Sequence, residues 1–69
     1  HAGLTGEESV VLQALLEIGE GPPGALAART GMREPALTAA LDRLVELHYA
    51  GTRQEAAGPV YWPVARTGG

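Results

Sequence analysis

The stretch of this chain that is most informative about its fold is ALAARTGMREPALTAALDRL, residues 25–44. Its first part predicts a short helix over 24–30 that ends at Gly31, because glycine adopts the left-handed conformation without steric cost. Glu34 and Pro35 then predict the start of a longer helix over 34–47, with the proline at the first helical position, where its missing N–H costs nothing. The stretch therefore predicts two helices joined by a turn.

The longer helix carries one apolar stripe. Leu37, Leu41, Leu44 and His48 follow one another at spacings of four, three and four residues, which places them on the same face of a helix. Ala40 and Leu47 flank the stripe. We expect this face to lie against the core, with His48 half-buried at its end in a packing role.

A further helix is predicted upstream, over residues 5–18. Thr5 and Glu8 have the spacing of a capping box, in which the Thr5 hydroxyl accepts from the Glu8 amide and the Glu8 carboxylate accepts from the Thr5 amide. Val11, Leu15 and their apolar neighbours recur at helical spacing after this cap. The glycines and prolines of residues 19–23 end the helix.

Downstream, residues 49–64 predict a β-hairpin. Ala56-Ala57-Gly58-Pro59 is typical of a turn, and the next residues are rich in strand formers. Tyr61 and Trp62 are adjacent in the second strand, so their side chains point to opposite faces. We expect one of them to pack on the third helix and the other to be partly exposed.

Three helices followed by a two-stranded hairpin is the element order of a winged helix-turn-helix domain, a mainly α fold with a small β-hairpin as its wing. The middle pair of helices resembles the helix-turn-helix family, in which a small residue precedes the turn glycine by four positions. Ala27 and Gly31 match these positions. A larger side chain at 27 would push the helices apart, and a Cβ at 31 would strain the turn. We expect one domain over 1–69, with frayed ends at 1–3 and 66–69.

Composition restricts the classes of function. A chain of 69 residues buries only about 60% of its unfolded surface, which leaves little room for a substrate cavity. The absence of cysteine excludes disulfides and thiolate metal sites. The chain has one serine, no lysine and two histidines far apart in sequence, and this set suggests neither a catalytic triad nor a metal centre. No apolar run approaches the roughly 20 residues that span a bilayer. We expect a cytoplasmic, non-enzymatic module without cofactor or metal.

Nucleic-acid contact is the sharpest functional hypothesis. In helix-turn-helix proteins the start of the second helix of the pair meets base edges and phosphates, and here that helix offers no Asn or Gln to read bases. Three or four arginine–phosphate contacts predict a log–log salt slope of about −3 to −4, and so weak, largely sequence-independent binding. The candidate contact residues are Arg29, Arg33, Thr38, Arg43, Arg53 and Tyr61.

The charge distribution leaves two interpretations open. The net charge is −3, but residues 1–28 contain four glutamates and no arginine, whereas residues 29–69 contain all five arginines against four acidic residues. The arginines are either phosphate contacts or ordinary solvated side chains. The competing function is a protein-interaction or dimerisation winged helix that uses Ala36, Ala39 and the exposed wing aromatic.

Two families resemble parts of the chain. The wing, from Glu55 to Trp62, resembles that of Z-DNA-binding winged helices, which have prolines just before a tryptophan. The places of that family's third-helix Asn and Tyr hold Thr38 and Asp42 here. A broader resemblance is to the C-terminal winged helix of the bacterial DNA-processing protein DprA (Smf), carried by LTGEE (4–8), VLQALL (11–16), LAARTGM (26–32) and ALTAALDRLVEL (36–47).

The second resemblance implies a bacterial setting. In that family a Rossmann-like domain binds single-stranded DNA and helps to load RecA during natural transformation and DNA recombination. The winged helix is an accessory module for DNA binding or protein interaction. The resemblance therefore implies weak contact with DNA, or with a protein partner or second copy, through the third helix and the wing.

Overall fold

A computed structural model describes residues 4–64, so both expected frayed ends, 1–3 and 66–69, lie outside the described residues. Three helices precede an antiparallel hairpin, which confirms the predicted fold class of a helix-turn-helix with a wing. The elements are α1 (Gly6–Ile18), α2 (Pro23–Thr30), α3 (Ala36–Glu46), β1 (Ala50–Glu55) and β2 (Gly58–Pro63).

The capping box at the start of α1 is confirmed. The Glu8 amide donates to the Thr5 hydroxyl oxygen at 3.1 Å, and the Thr5 amide donates to the Glu8 carboxylate at 3.1 Å. At the other end Gly19 has a φ of 87°, and its amide donates to the Leu15 carbonyl at 2.8 Å. Local hydrogen bonding thus begins and ends this helix as the sequence predicts.

The turn between α2 and α3 depends on Gly31. Its φ of 78° lies in the left-handed region, and its amide donates to the Ala27 carbonyl at 2.8 Å. The Thr30 hydroxyl donates to the Leu26 carbonyl at 2.8 Å and accepts from the Met32 amide at 3.1 Å. The predicted role of Gly31 is confirmed, while α2 starts one residue before the predicted position, with Pro23 in its first turn.

The predicted start of α3 is wrong by two residues. Pro35 is the N-cap of the helix and not its first residue. A turn precedes the helix, in which the Leu37 amide donates to the Arg33 carbonyl at 3.0 Å. Since residues 34 and 35 belong to this turn, the regular helix begins at Ala36.

His48 does not extend the apolar stripe, and the prediction that it is half-buried is wrong. The helix ends at Glu46, and His48 has a φ of 67° and an exposed side chain. The His48 amide donates to the Val45 carbonyl at 3.1 Å, and the Tyr49 amide donates to the Leu44 carbonyl at 2.8 Å. These bonds form a Schellman motif, with histidine in the left-handed position that glycine usually holds. The reversal of the chain turns its side chain outward.

The core lies where the three helices meet the inner face of the hairpin. Every helix contributes leucine, and α3 contributes the apolar stripe that the sequence predicts. Half-buried side chains, including Ala27 and Met32 near the turn, pack around it. The buried residues are Val11, Ala14, Leu15, Leu26, Leu37, Ala40, Leu41, Leu44, Ala50 and Tyr61.

The wing is a tight hairpin. Glu55 pairs with Gly58, so only Ala56 and Ala57 lie between the strands. The predicted turn over 56–59 is therefore too long, because Gly58 and Pro59 already belong to β2. On the other edge of β2, Gly21 forms a one-residue bridge to Tyr61, with two hydrogen bonds of 2.9 Å. This bridge attaches the wing to the loop between α1 and α2.

The two wing aromatics have the opposite orientations that strand geometry requires. Tyr61 is only 7% exposed and belongs to the core, whereas Trp62 is half-exposed. Tyr61 shares one core cluster with the buried leucines of α3. β2 lies against α1 and α2, and β1 is the strand that lies against α3.

Candidate functional site

The outward face of α3 is acidic at its centre. Leu37, Ala40, Leu41 and Leu44 are buried on the core side, so the opposite side presents Ala39, Asp42 and Glu46 at helical spacings of three and four. In a groove-binding winged helix this face would approach the phosphate backbone. Two carboxylates one turn apart on this face repel phosphate.

Arg43, a predicted phosphate contact, lies beside the acidic face and is engaged with carboxylates. Its Nη1 is 3.6 Å from a Glu46 oxygen, and its Nε is 4.0 Å from a Glu8 oxygen at the start of α1. The Glu46 pair follows from i,i+3 spacing on one helix, whereas the Glu8 pair exists only because α1 packs on α3. These carboxylates partly offset the positive charge that Arg43 would offer to a phosphate.

Arg29 and Arg53 are also paired with carboxylates, and their pairs are hydrogen-bonded. The Arg29 Nε donates to the Glu17 carboxylate at 2.9 Å, which joins α2 to α1. The Arg53 Nη2 donates to Glu20 at 2.7 Å, and its Nε donates to Glu55 on the same strand. These hydrogen bonds, that with Glu55 first, raise the pKa of Arg53 above its ordinary value.

Arg33 is the exception among the candidate arginines of residues 4–64. It is exposed in the turn before α3 and has no ion pair within the described part of the chain. Thr38 is half-buried in the first turn of α3. The structure thus leaves one unpaired arginine at the helix entrance, instead of the four-arginine set of the sequence prediction.

The side chain of Tyr61, a predicted contact residue, is not accessible at the surface. Its side chain is buried in the core and its backbone is bridged to Gly21, so it holds the wing to the helices. The aromatic on the outer face of the wing is Trp62. The alternation of side chains along a strand predicts that the two differ in exposure, but only the packing of β2 on α1 and α2 decides which one is outside.

Trp62 belongs to a small cluster on the outer face of the wing. Its ring lies across Gly51, its partner in the strand register, and the Arg53 guanidinium lies 5.3 Å from the ring centroid. This is a cation–π distance. Because Glu20 and Glu55 also bind Arg53, the cluster is held together but carries a net negative charge.

The concave surfaces of the described residues include a cleft and a shallow depression. A cleft of about 350 Å³ between α1 and α2 is lined by Val10, Gln13 and Thr30, with the Glu17–Arg29 pair at its edge. A shallow depression of about 580 Å³ on α3 is lined by Ala39, Asp42, Arg43, Val45 and Glu46. The second therefore coincides with the acidic outward face.

Within residues 4–64, no group of three or more His, Asp or Glu side chains is placed to hold a metal ion. None of the three helices is long and apolar enough to cross a membrane. The surface features of the described residues that could serve a function include the α3 face, the wing cluster, the α1–α2 cleft and the exposed Arg33.

No protein-family model matches the chain, and no curated protein matches it.

Proposed function

We propose that this chain is an accessory winged-helix module that contacts a protein partner through the outward face of α3, as part of a protein that acts on DNA. The observation that carries the proposal is the distribution of charge. Three of the four candidate arginines are bound by carboxylates, and Asp42 and Glu46 occupy the face with which a winged helix would enter a groove. The resemblance to the C-terminal module of DprA supports the setting in a DNA-processing protein.

Electrostatics supports a protein partner over a nucleic acid. Binding to DNA gains free energy when cations on the protein replace condensed counterions on phosphate. A glutamate beside an arginine already offsets part of its positive charge, so that arginine gains less from the exchange. The carboxylates on α3 add direct repulsion, and the net charge of −3 opposes the approach of a polyanion.

One observation favours a second function, weak contact with DNA. Arg33 is exposed and has no ion pair among the described residues, and it lies at the entrance of α3, where helix-turn-helix proteins meet phosphate. Arg33 with the wing arginine Arg53 would supply one or two phosphate contacts. The corresponding log–log salt slope is about −1 to −2, which is shallower than the sequence predicts.

Fluorescence anisotropy separates the two functions. Labelled single-stranded, B-form and Z-prone oligonucleotides are titrated with the domain at low salt. The same titrations are made with the Arg33→Ala variant and with Arg29→Ala, a control that removes the same charge from an arginine paired with Glu17. The proposal predicts no binding tighter than about 10⁻⁴ M, the weak end of non-specific affinities. Binding in the micromolar range that Arg33→Ala weakens and Arg29→Ala leaves unchanged would establish the DNA function and overturn the proposal.

A further inference from the structure

The two outer edges of the wing differ in their backbone hydrogen bonding. On β2, the N–H and the C=O of Tyr61 both bond to Gly21 at 2.9 Å. Pro59 and Pro63, on either side of Tyr61, have no N–H to offer. Prolines and bridging contacts of this kind protect a strand edge from pairing with another chain. The outer edge of β2 is therefore closed to a further strand.

The outer edge of β1 is open. Thr52 lies opposite Tyr61, and because Tyr61 directs both its backbone groups to Gly21, the two form a non-hydrogen-bonded pair of the hairpin. Thr52 and, two residues later, Gln54 therefore direct their N–H and C=O groups away from β2. Neither backbone has a hydrogen-bond partner within the described part of the chain, and both residues are exposed. Ala50 is buried, so the accessible edge is the half of β1 nearer the turn.

An extended strand fits such an edge, because it presents N–H and C=O groups at the same spacing. A second β1 meets this requirement when the two strands are antiparallel and a two-fold axis relates them. Only the residues with accessible outward groups can form the hydrogen-bonded pairs, so the axis passes at Thr52, at Arg53 or at Gln54.

Charge and burial select one of these registers. An axis at Arg53 sets two arginines directly opposite each other, which is destabilising. An axis at Thr52 pairs Gln54 of each copy with the buried Ala50 of the other. With the axis at Gln54, the two Gln54 residues exchange their N–H···O bonds. Arg53 of each copy then lies opposite Glu55 of the other, in a non-hydrogen-bonded pair, where side chains are closest.

From the open edge and this charge complementarity we propose that β1 pairs with β1 of a second copy of this chain, antiparallel and centred on Gln54. The surface is separate from the α3 face, so the inference goes beyond the proposed function and does not depend on it. The contact is short, whereas stable interfaces bury at least about 1,200 Å². We therefore expect a weak dimer, with a Kd on the order of 10⁻³ M.

A backbone variant tests the pairing. Gln54→Pro removes the outward N–H and no bond between β1 and β2, since Gln54 lies opposite Pro59 in a non-hydrogen-bonded pair. Gln54→Ala is the matched control, because it keeps that N–H. In ¹⁵N spectra from about 0.05 to about 2 mM protein, a range from mainly monomer to mainly dimer at this Kd, the amides of residues 52–56 should shift in the parent chain and in Gln54→Ala, and not in Gln54→Pro.

Cysteine trapping tests the register, and it does not depend on the folding of the proline variant. The chain has no cysteine, so Gln54→Cys introduces one thiol per copy. The two thiols face each other across the axis, where the Cα atoms are about 5.5 Å apart, a separation that a disulfide spans. In Thr52→Cys, on the same exposed edge, the two positions are about 14 Å apart along the strands. In a buffer of oxidised and reduced glutathione, mass spectrometry should show the linked dimer of Gln54→Cys forming about tenfold faster or more.

The possible failures are distinct. The inference is overturned by spectra that do not change up to about 2 mM protein, by equal shifts in Gln54→Pro, or by equal trapping rates at the two cysteine positions. If the concentration-dependent shifts fall on the amides of α3 instead, the second copy occupies another surface, and the inference fails while a protein contact at α3 stands. If Gln54→Pro loses the amide dispersion of a folded domain, the trapping rates decide.

Discussion

Replacement of Gly51 by alanine tests how the wing is packed. Gly51 lies opposite Trp62 in the hairpin, and a Cβ built at Gly51 would lie within 2.6 Å of three atoms of the indole ring. Ordinary contacts of a Cβ begin at 3.4 Å. The ring of Trp62 must therefore move by about 1 Å, away from its position under Arg53, because the backbone of a paired strand cannot yield by that distance.

The magnitude follows from two opposing effects. Overpacking by one methyl group costs about 1–3 kcal/mol. Alanine in place of glycine inside a strand recovers about 0.5–1 kcal/mol, because the unfolded chain loses conformational freedom. The centres of these two ranges differ by about 1 kcal/mol, which is the net loss that we expect in the free energy of unfolding. In a domain of this size the Tm should fall by about 4–8 °C.

Thermal unfolding and fluorescence measure this change. Trp62 is the only tryptophan, so a shift of its emission to longer wavelength reports movement of the ring towards solvent. The matched control is Gly24→Ala in α2, where an added Cβ meets nothing within 4 Å. That variant should be more stable than the parent by up to about 1 kcal/mol.

A double-mutant cycle decides the cause. In a Trp62→Ala background the obstructing ring is absent, so Gly51→Ala should become neutral or stabilising. If Gly51→Ala lowers stability equally in both backgrounds, or leaves the Tm of the parent chain unchanged, Trp62 does not pack across Gly51 and the reasoning is refuted.

Two further substitutions test the helix ends. Gly31→Val should destabilise the domain by more than about 1 kcal/mol in urea unfolding, because the φ of residue 31 is 78°. Nothing lies within 4 Å of the added Cβ, so the cost is backbone strain alone. A neutral result would contradict the left-handed turn. Thr5→Ala should cost about 1 kcal/mol by the same measurement, since it removes the acceptor for the Glu8 amide. Thr5→Ser keeps that hydroxyl and should retain most of the stability, and equal losses for both would contradict the capping box.

Interactions close in sequence were predictable. The Thr5–Glu8 capping box, the left-handed Gly31 and the leucine stripe of α3 all depend on residues within one or two turns of one another, and all three are confirmed. The two wrong predictions, the start of α3 and the burial of His48, both concern the ends of elements. There, a proline and a histidine each fit two local conformations, and the hydrogen bonds of the turn select between them.

Periodicity, caps and turn residues are local properties of the chain, and they suffice to predict the order of helices and hairpin in the winged-helix architecture. The burial of one wing aromatic over the other depends on packing, since strand alternation leaves both orientations open until Gly21 bridges Tyr61. It also decided the state of the arginines. Arg29 lies 12 residues from Glu17 and Arg53 lies 33 residues from Glu20, so their pairing depends on how the elements pack and has no signal in local sequence.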